Sequence, residues 1–475
     1  MSRRRSAGGV FWGLALVALG GVLLARNLGY EIPIWSGIAR YWPVLIILWG
    51  LLKLVDYYRF RNDAERRALF SAGEIALLVL VIFAGSAITV AANISPQLRD
   101  LFQYGDIDLW DVTGNNYEYT EHHEMDAPAG AVIEVVNRYG NINITPNDAD
   151  RIVVDVNKTV RAVNREDADR LSQEFGFSIR QEGGLYRIVS NFDRDQALSQ
   201  GRRFRTSLTI RAPSRSLLRV ENRNGRVHVE RLAGNQTIRN AQGEVVIREI
   251  NGALDVENRY GNVRVEAVTG GLNLQNRNGR VEIADVGGDA KIDNGYAGVV
   301  ARGVGGSLTV ENRNGRVEIS EVKGSATVSN SYGAIIAADV QGELKISGRN
   351  NGVEVHRVAG DVSVESSFQN IQVRDVKGAI RVNNRNGDVR ISLAEPPVRD
   401  ISVSSEFSNV RFELPARSSF LIEGRTRFGQ IESEFDALNV TSDGPARSVS
   451  GRTGAGGPRI RIDTRNGNIR IASVE

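Results

Sequence analysis

The sequence contains no cysteine and few histidines, methionines and prolines. The absence of cysteine excludes disulfides, thiolate catalysis and cysteine-ligated metal sites. It does not assign the chain to the cytosol, because large exported proteins with a sizeable core fold without disulfides. A net charge of +3, with 24% charged residues, excludes a disordered polyelectrolyte and a strongly basic nucleic-acid binder. Glycine is abundant, and 475 residues suffice for several domains or for one long repeat array.

Residues 1–92 contain three long apolar runs that the rest of the chain lacks. Each run approaches the length of a transmembrane helix, which needs about 20 apolar residues. No small-residue cleavage site follows the first run, so a signal peptide is not predicted. We therefore predict three transmembrane helices, at about 8–25, 36–54 and 74–92.

The charges of the connecting loops predict how these spans are oriented. Three arginines precede the first span, and the loop 53–73 is rich in lysine and arginine. The loop 26–37 carries a single arginine. Because positively charged loops remain in the cytoplasm, the N-terminus and the loop 53–73 are predicted to be cytoplasmic. The predicted location is the cytoplasmic (inner) membrane, multi-pass, with the C-terminal part periplasmic or extracellular.

From residue 220 to about 391 the chain follows an 18-residue period. Between glycine turns, apolar and polar residues alternate with the period of a β-strand, and the apolar columns are rich in β-branched residues. One glycine position recurs at Gly234, Gly252, Gly270, Gly288, Gly306, Gly324, Gly342, Gly360 and Gly378. A second position holds Gly225, Gly243, Gly261, Gly279, Gly315, Gly333 and Gly387, with Ala297, Asn351 and Gln369 in three repeats. Each repeat is therefore predicted to form two short strands joined by two tight turns.

An asparagine column decides between two β-architectures. In a meander of hairpins nothing requires the same residue on every unit, whereas stacked solenoid coils turn each position into a ladder. The asparagines are in phase with the inward apolar positions, where their amides can bond to one another and to the turn backbone. The predicted structural ladder is Asn222, Asn240, Asn258, Asn276, Asn294, Asn312, Asn330 and Asn384.

The predicted fold class is therefore an all-β solenoid, parallel β-helix-like with 18-residue coils. It carries a small α+β N-terminal cap and is preceded by an α-helical membrane anchor of three spans. The predicted domains are the transmembrane region 1–92, a linker 93–125, the N-terminal cap 126–215, the regular solenoid 216–394, and irregular C-terminal coils with a cap, 395–475. Within the caps we expect a helix over 164–175, a loop over 441–458 and a closing coil over 459–471.

The residue before the second turn alternates between aromatic and asparagine, which gives a 36-residue superperiod. Two kinds of 18-residue coil stacked alternately are favoured over a single 36-residue coil. The aromatic residues are either corner packing, the favoured interpretation, or a surface binding stripe for carbohydrate. This candidate stripe consists of Tyr260, Tyr296, Tyr332 and Phe368.

One residue earlier lies an arginine column with two interpretations. The arginines either bind an anionic polymer or lipid headgroups, or form ion pairs with the interleaved Glu221, Glu257 and Glu311. The second interpretation is favoured. The arginine column consists of Arg223, Arg259, Arg277, Arg313, Arg349 and Arg385.

The sequence shows no pattern of catalytic or cofactor-binding residues. The four histidines have no triad partners, no carboxylate pair recurs, and the turns lack the repeated aspartate of calcium-binding β-rolls. His122 and His123 lie beside Glu121 and Glu124, where a solvated charge cluster is favoured over a metal site. We predict no catalytic, metal or cofactor-binding residue, no cofactor and no enzyme activity. The alternative is a β-helix enzyme that acts on polysaccharide.

Two segments resemble bacterial families. The elements "LGGVLLARNLGY" and "YWPVLIILWGLLKL" are similar to the LiaI/LiaF-like transmembrane region, over about 8–92. The repeated "VENRNGRVEI", with "AGAVIEVVNRYGNINI" and "IDTRNGNIRI", resembles the bacterial putative-adhesin β-solenoid domain of unknown function, over about 126–473. These resemblances imply a membrane-anchored envelope protein for adhesion, envelope binding or stress sensing. LiaF-type proteins work with a membrane histidine kinase in envelope-stress signalling, which gives a further alternative, a kinase regulator.

The expected partners follow from this assignment. The lipid bilayer is the first, and an envelope polysaccharide or another membrane protein is the second. No nucleic acid is expected, and the sequence does not define an oligomeric state.

Overall fold

The structure, a computed structural model, describes residues 115–162, 164–191 and 204–474. These residues belong to one compact unit, Thr113–Glu475. Within them no helix is long and apolar enough to cross a membrane. The three predicted spans and the first part of the predicted linker lie outside the described residues.

The described chain consists of β-strands and one helix. The N-terminal elements are β1 (Asn115–Asp126), β2 (Val132–Asn147), β3 (Arg151–Ala162), α1 (Arg165–Glu174), β4 (Phe177–Glu182), β5 (Leu185–Ser190) and β6 (Phe204–Pro213). The repeat begins with β7 (Leu217–Asn224), β8 (Val227–Glu230), β9 (Gln236–Gln242), β10 (Val245–Ile250), β11 (Leu254–Tyr260), β12 (Val263–Val268), β13 (Leu272–Asn278), β14 (Val281–Val286), β15 (Ala290–Tyr296) and β16 (Val299–Val304). It continues with β17 (Leu308–Asn314), β18 (Val317–Val322), β19 (Ala326–Tyr332), β20 (Ile335–Val340), β21 (Leu344–Asn350), β22 (Val353–Val358), β23 (Val362–Phe368), β24 (Ile371–Val376), β25 (Ile380–Asn386) and β26 (Val389–Ser392). The C-terminal elements are β27 (Ile401–Phe407), β28 (Val410–Pro415), β29 (Leu421–Phe428), β30 (Ile431–Ser433), β31 (Leu438–Asp443), β32 (Ala446–Arg452), β33 (Arg459–Asn466) and β34 (Ile469–Val474).

Each 18-residue repeat contributes one strand to each of two parallel ladders. Leu254 pairs with Leu272 in the ladder that contains the asparagine column, here called the asparagine sheet. Val263 pairs with Val281 in the other ladder, here called the valine sheet. This one-repeat register confirms the all-β solenoid with 18-residue coils. Tyr260 pairs with Asn278 and not with Tyr296, so two kinds of coil alternate and the 36-residue coil is excluded.

The inward columns of both sheets form one continuous core. Val256, Val263 and Val265 in one coil are each 1% exposed, and the equivalent positions of the other regular coils are buried as well. Each such side chain contributes about 1.5–3 kcal/mol of gross stabilisation, most of which the ordering of the backbone offsets. The outward residues between them are mostly polar or charged, with Val246, Val300 and Ile336 as exceptions, and these outward positions can vary without disturbing the stack.

Close stacking of the coils favours glycine at both turns, and at the second turn the backbone conformation favours it as well. At the second turn Gly315 has φ +115°, a conformation that side chains with a Cβ rarely adopt. At the first turn Gly360 has no such φ, but a Cβ there would overlap the carbonyl oxygen of Gly342 in the preceding coil. Close stacking of the coils therefore requires glycine at this turn, whatever its φ.

A third column of special backbone conformation has no signature in the sequence. In nine consecutive repeats, the residue before the last inward residue on the valine sheet has φ between 52° and 70°, yet only one of these residues is glycine. They are Arg231, Glu249, Ala267, Asp285, Gly303, Glu321, Asp339, Arg357 and Asp375. This left-handed residue lets Val265 and Val268 both face the core although they are three positions apart, an odd spacing that a regular strand does not allow.

The N-terminal cap begins earlier than its sequence suggests. Residues 115–126, the end of the predicted linker 93–125, form β1, which pairs antiparallel with β3 along its whole length. Tyr117, Tyr119 and Met125 pack against the core, but Glu121 and His123 share their side of the strand. These polar residues hide the period of two.

The helix of the cap follows its sequence signals. Helix α1 begins after Asn164, whose side-chain oxygen accepts a hydrogen bond from the Asp167 N–H at 2.8 Å. It buries Ala168 and Leu171, and it is followed by the buried Phe175.

At the C-terminus the order of the coils in space differs from their order in the chain. The final pair, β33 and β34, lies between the pair β27/β28 and the pair β29/β30. The predicted closing coil 459–471 is therefore internal. The segment 441–458, predicted as a loop, contains most of the antiparallel hairpin β31/β32, which pairs with β29.

Candidate functional site

The asparagine column runs through the interior beside the second turn. Each side chain donates its amide to the turn carbonyl three residues ahead, as Asn258 does to Gly261 at 3.1 Å and Asn384 to Gly387 at 2.8 Å. Between coils the amide of Asn240 donates to Asn258 at 3.2 Å, and that of Asn258 donates to Asn276 at 3.3 Å. The eight predicted residues are all 6% exposed or less. The column therefore satisfies buried turn carbonyls that would otherwise have no partner.

The column includes polar residues that were not predicted, one before Asn222 and two in the gap between Asn330 and Asn384. Asn137 of β2 donates to Asn222 at 3.2 Å, so the first coil already belongs to the ladder. Residue 348 is glycine, yet the buried Asn351 turns its side chain into that space. Its oxygen accepts a hydrogen bond from the Arg349 N–H at 2.8 Å, and its amide donates to the Gly333 carbonyl. Ser366, buried in the next coil, completes the gap before Asn384.

The amide chain is not continuous. Within the described residues the side-chain oxygens of Asn294, Asn312 and Asn384 are buried without a hydrogen-bond partner. In each case the residue in the preceding coil donates its hydrogen bond to a backbone carbonyl and not to the next asparagine. These preceding residues are Asn276, Asn294 and Ser366. The ladder is thus a set of segments and not one uninterrupted chain of amides.

The aromatic residues lie on the surface at the same corner. Tyr260, Tyr296, Tyr332 and Phe368 are 42–53% exposed, and each pairs in register with an asparagine of the next coil. The structure adds two aromatic residues that the sequence period missed. Phe407 pairs with Asn386, and Phe428 pairs with Asn466.

These residues define one straight edge of the solenoid, here called the edge column. Because β33 lies between β27 and β29, Asn466 lies between Phe407 and Phe428 in space although it follows both in the chain. The alternation of aromatic and amide therefore survives the change in coil order. The edge column consists of Tyr260, Asn278, Tyr296, Asn314, Tyr332, Asn350, Phe368, Asn386, Phe407, Asn466 and Phe428.

The favoured interpretation of the arginine column, pairing with interleaved glutamates, is wrong. Glu221 and Glu257 instead contact Arg239, at 3.7 and 3.8 Å, because Arg239 is their direct neighbour in the coil between them. Glu311 forms no ion pair with any described residue. In register, the column residues meet other arginines or small residues, except Arg385, which is opposite Glu406.

Most of the arginine column consequently keeps an unpaired charge. Arg385 pairs with Glu406 at 3.4 Å. Arg223, Arg259, Arg277, Arg313 and Arg349 are exposed and have no ion pair with any residue that the structure describes. On the valine sheet, in contrast, arginines such as Arg264 and Arg357 are paired with carboxylates at 2.6–2.8 Å.

Two shallow depressions lie beside the arginine column. One, of about 650 Å³, is lined by Arg223 and Arg259 together with the paired Arg239. The other, of about 530 Å³, is lined by Ser367 and Arg385 among other polar residues. Carboxylates line both depressions as well, Glu221 and Glu257 in the first and Glu365 and Glu406 in the second.

The histidines of the N-terminal cap belong to a charge cluster on β1 and β3. His122 contacts Asp155 at 2.6 Å and Glu124 at 2.9 Å, and these hydrogen bonds raise the pKa of His122. Burial tends to raise the pKa of Glu121, but hydrogen bonds from Lys158, the Phe177 N–H and His123 hold it below its ordinary value. Among the described residues no group of three or more histidines, cysteines and acids could hold a metal ion.

The buried Lys158 ties this cluster to the helix. It is 2% exposed and donates to Glu121 at 2.5 Å, to the Ser172 carbonyl at 2.7 Å and to the Phe175 carbonyl at 2.6 Å. A lysine with three partners that fix it in place is a structural link between β3, β1 and α1. It is not arranged as a free base.

Comparison with known proteins gives one sequence match and a limited likeness in structure. No curated protein matches the chain. A family model matches only near the N-terminus. Residues 11–98 match the LiaF transmembrane domain. The match confirms the resemblance seen in the sequence and associates the chain with a membrane, whereas the number and orientation of the spans stay predictions.

Two solved structures are similar to the described fold. One is a putative cell adhesion protein from Clostridium sporogenes ATCC 15579, with 7% identity and a TM-score of 0.18, over 75% of this chain and 100% of that chain. The other is a putative adhesin from Bacteroides fragilis NCTC 9343, with 10% identity and a TM-score of 0.15, over 74% of this chain and 97% of that chain.

Proposed function

We propose that the chain is a non-enzymatic membrane protein that displays its solenoid outside the cytoplasmic membrane and binds envelope components with it. One observation carries this proposal. The same chain contains a segment that matches the LiaF transmembrane domain and a solenoid with an exposed aromatic edge. The solenoid's buried columns are nearly constant from coil to coil. Binding is therefore assigned to the exposed columns.

The topology rests on the loop charges. With three spans at about 8–25, 36–54 and 74–92, the arginines of the N-terminus and of the loop 53–73 are cytoplasmic. The solenoid then lies on the outer side, where its partners are the bilayer surface and an envelope polysaccharide or membrane protein.

The absence of cysteine allows a sharp test of this topology. Single variants Val398→Cys in the solenoid, Tyr30→Cys in the first loop and Ala64→Cys in the second loop are treated with a membrane-impermeant maleimide in intact spheroplasts. Val398 is 71% exposed, so its variant is reactive in the folded solenoid. We expect Val398→Cys and Tyr30→Cys to be labelled in intact spheroplasts and Ala64→Cys only after permeabilisation. Labelling of Ala64→Cys from outside, or protection of Val398→Cys, contradicts the proposal.

The non-enzymatic assignment is supported by the contacts of the histidines. His228 and His356 lie beside glutamates at 3.5 and 3.7 Å, and His122 lies between two carboxylates. None of these arrangements presents a nucleophile to a base. Product formation from an envelope polysaccharide by the purified full chain would favour the alternative, a β-helix enzyme.

The LiaF match favours a second candidate, regulation of a membrane histidine kinase. In this account the solenoid is the sensing part and the spans transmit its state. Replacement of residues 1–92 by an unrelated three-span anchor, judged by the envelope-stress response, separates the candidates. An unchanged response removes the regulator and leaves display alone.

A further inference from the structure

We infer that the edge of the solenoid binds an extended anionic polysaccharide, with one disaccharide unit on every second coil. This inference rests on the proposed function and names the ligand class of the same surface. It depends on two exposed columns, the edge column and the arginine column, which are adjacent in the chain at five coils. The arginines at these coils are Arg259, Arg277, Arg313, Arg349 and Arg385.

The spacing of the aromatic rings is the first argument. Aromatic residues occupy alternate coils of a parallel ladder, so neighbouring rings are about 9.6 Å apart, twice the strand spacing. This repeat is close to the disaccharide repeat of extended β-linked polysaccharides. The six rings from Tyr260 to Phe428 span ten such strand spacings, about 48 Å.

The chemistry of the edge column is the second argument. A pyranose ring has an apolar C–H face and a rim of hydroxyl groups. The aromatic rings offer flat apolar surface, and the amides between them offer both donors and acceptors. Asn278, Asn314 and Asn386 alternate with the rings at the spacing at which a stacked chain presents its hydroxyl rims.

The charge beside the rings is the third argument. Arg277, Arg313 and Arg349 precede asparagines of the edge column, while Gly295, Ser331 and Ser367 precede the rings of the intervening coils. Each of the rings Tyr296, Tyr332 and Phe368 thus has a small residue beside it and an arginine on the coils above and below. The small residues leave the ring uncovered, and the unpaired guanidinium groups favour one acidic group per disaccharide.

Arginines of the valine sheet such as Arg264, Arg302 and Arg357 are paired with carboxylates, whereas five of the six column arginines have no ion pair with a described residue. Like charges spaced by two coils repel one another only weakly in water. An anionic chain that follows the edge neutralises several of them at once.

The test uses the full chain in detergent micelles, and hyaluronan oligosaccharides are the probe because they are β-linked and carry one carboxylate per disaccharide. Affinity is measured by calorimetry against oligosaccharide length and salt. We expect affinity to rise with length up to about the 48 Å span of the edge column. Uncharged chitin oligosaccharides are expected to bind more weakly and with little salt dependence.

Three sets of variants separate the two columns. The triple variant Tyr296→Ala, Tyr332→Ala, Phe368→Ala is expected to weaken hyaluronan binding by about tenfold or more, whereas Tyr296→Phe with Tyr332→Phe retains it. The charge variant Arg277→Gln, Arg313→Gln, Arg349→Gln is expected to weaken binding by about threefold or more and to reduce its salt dependence. The matched control Lys291→Gln, Lys345→Gln, Arg381→Gln removes three exposed charges from the same sheet but away from the edge, and binding should stay within about twofold.

Several results overturn the inference. Unchanged affinity of the aromatic variant, or an equal loss in the control variant, excludes the edge as the site. Equal binding of polyglutamate or oligo(dT) shows a general anion surface, and a dimer that the aromatic variant dissociates shows a contact between two copies. The maleimide labelling test measures topology independently of ligand binding. A chain that fails to bind hyaluronan can therefore still be displayed outside the membrane, and a chain that binds hyaluronan can still fail the topology test.

Discussion

At residue 348 the chain has glycine where most other coils have the buried asparagine, and three residues later it has asparagine where most coils have the turn glycine. The structure explains both departures as one exchange. The side chain of Asn351 occupies the space of the missing amide and donates to the Gly333 carbonyl. The ladder was predicted from the sequence, but Asn351 was assigned only to the turn. Comparison of equivalent positions between repeats does not show the direction in which a side chain points.

This exchange predicts a coupled pair of substitutions. Asn351→Gly should destabilise the solenoid by about 1–3 kcal/mol, because buried turn groups lose their partner. Gly348→Asn alone should also destabilise it, because an added Cβ would lie 2.7 Å from the Asn351 side-chain oxygen. The double variant restores the arrangement of the other coils and should recover most of the stability. Denaturant unfolding of all four proteins gives the coupling energy, and strict additivity contradicts the exchange.

The arginine column shows where residue patterns mislead. The interleaved glutamates suggested ladder ion pairs with the arginine column, but Glu221 and Glu257 pair with Arg239, their neighbour in the coil between them. Arg239 can be recognised as the neighbour of these glutamates only when the register between the coils is known. The unpaired charge at Arg277 became visible only in the stacked coils.

At the scale of the element, the coil was predictable because stacking forces identical positions to recur. The strands, their 18-residue register and the helix over Arg165–Glu174 all follow from local period and capping. Strand β1 was missed because Glu121 and His123 occupy its inner side, where Lys158 and other partners satisfy the carboxylate. The left-handed column was missed because acidic, basic and small residues all adopt it.

Because the coils approach closely, two similar glycine-to-alanine substitutions should have different effects on the free energy of unfolding. Gly360→Ala should destabilise the protein by about 1–3 kcal/mol, because its Cβ overlaps the Gly342 carbonyl and the coils must separate. Gly352→Ala, in the same region, meets no atom within 4 Å and should be close to neutral. Thermal unfolding of the two variants measures the difference. Equal effects would show that coil stacking does not restrict residue 360.

The charge cluster of the cap predicts a dependence on pH. Hydrogen bonds to Asp155 and Glu124 raise the pKa of His122, so its stabilising contribution is fully present below the ordinary histidine pKa of about 6.5. The contribution is lost as the pH rises through the raised pKa. His122→Gln should therefore lower the melting temperature more at pH 5.5 than at pH 9. A difference that is constant with pH contradicts this assignment.

At the scale of the whole molecule, the solenoid was predictable and its C-terminal order was not. Strand β27 begins 21 residues after β25, and the hairpin β31/β32 follows β29, so the period alone no longer assigns neighbours. Pairing in space places β33 between β27 and β29. These pairings between strands, and not the period of the sequence, show that Phe407 and Phe428 continue the edge column.

The central proposal is that this membrane-associated chain binds the envelope through an exposed solenoid edge. The most direct measurement is sedimentation of the purified full chain with cell-wall material from its own source. We expect the chain to sediment with this material and the control variant Lys291→Gln, Lys345→Gln, Arg381→Gln to do the same. The variant Tyr296→Ala, Tyr332→Ala, Phe368→Ala is expected to remain in solution. A chain that stays in the supernatant under all salt conditions, while folded by its melting curve, contradicts envelope binding.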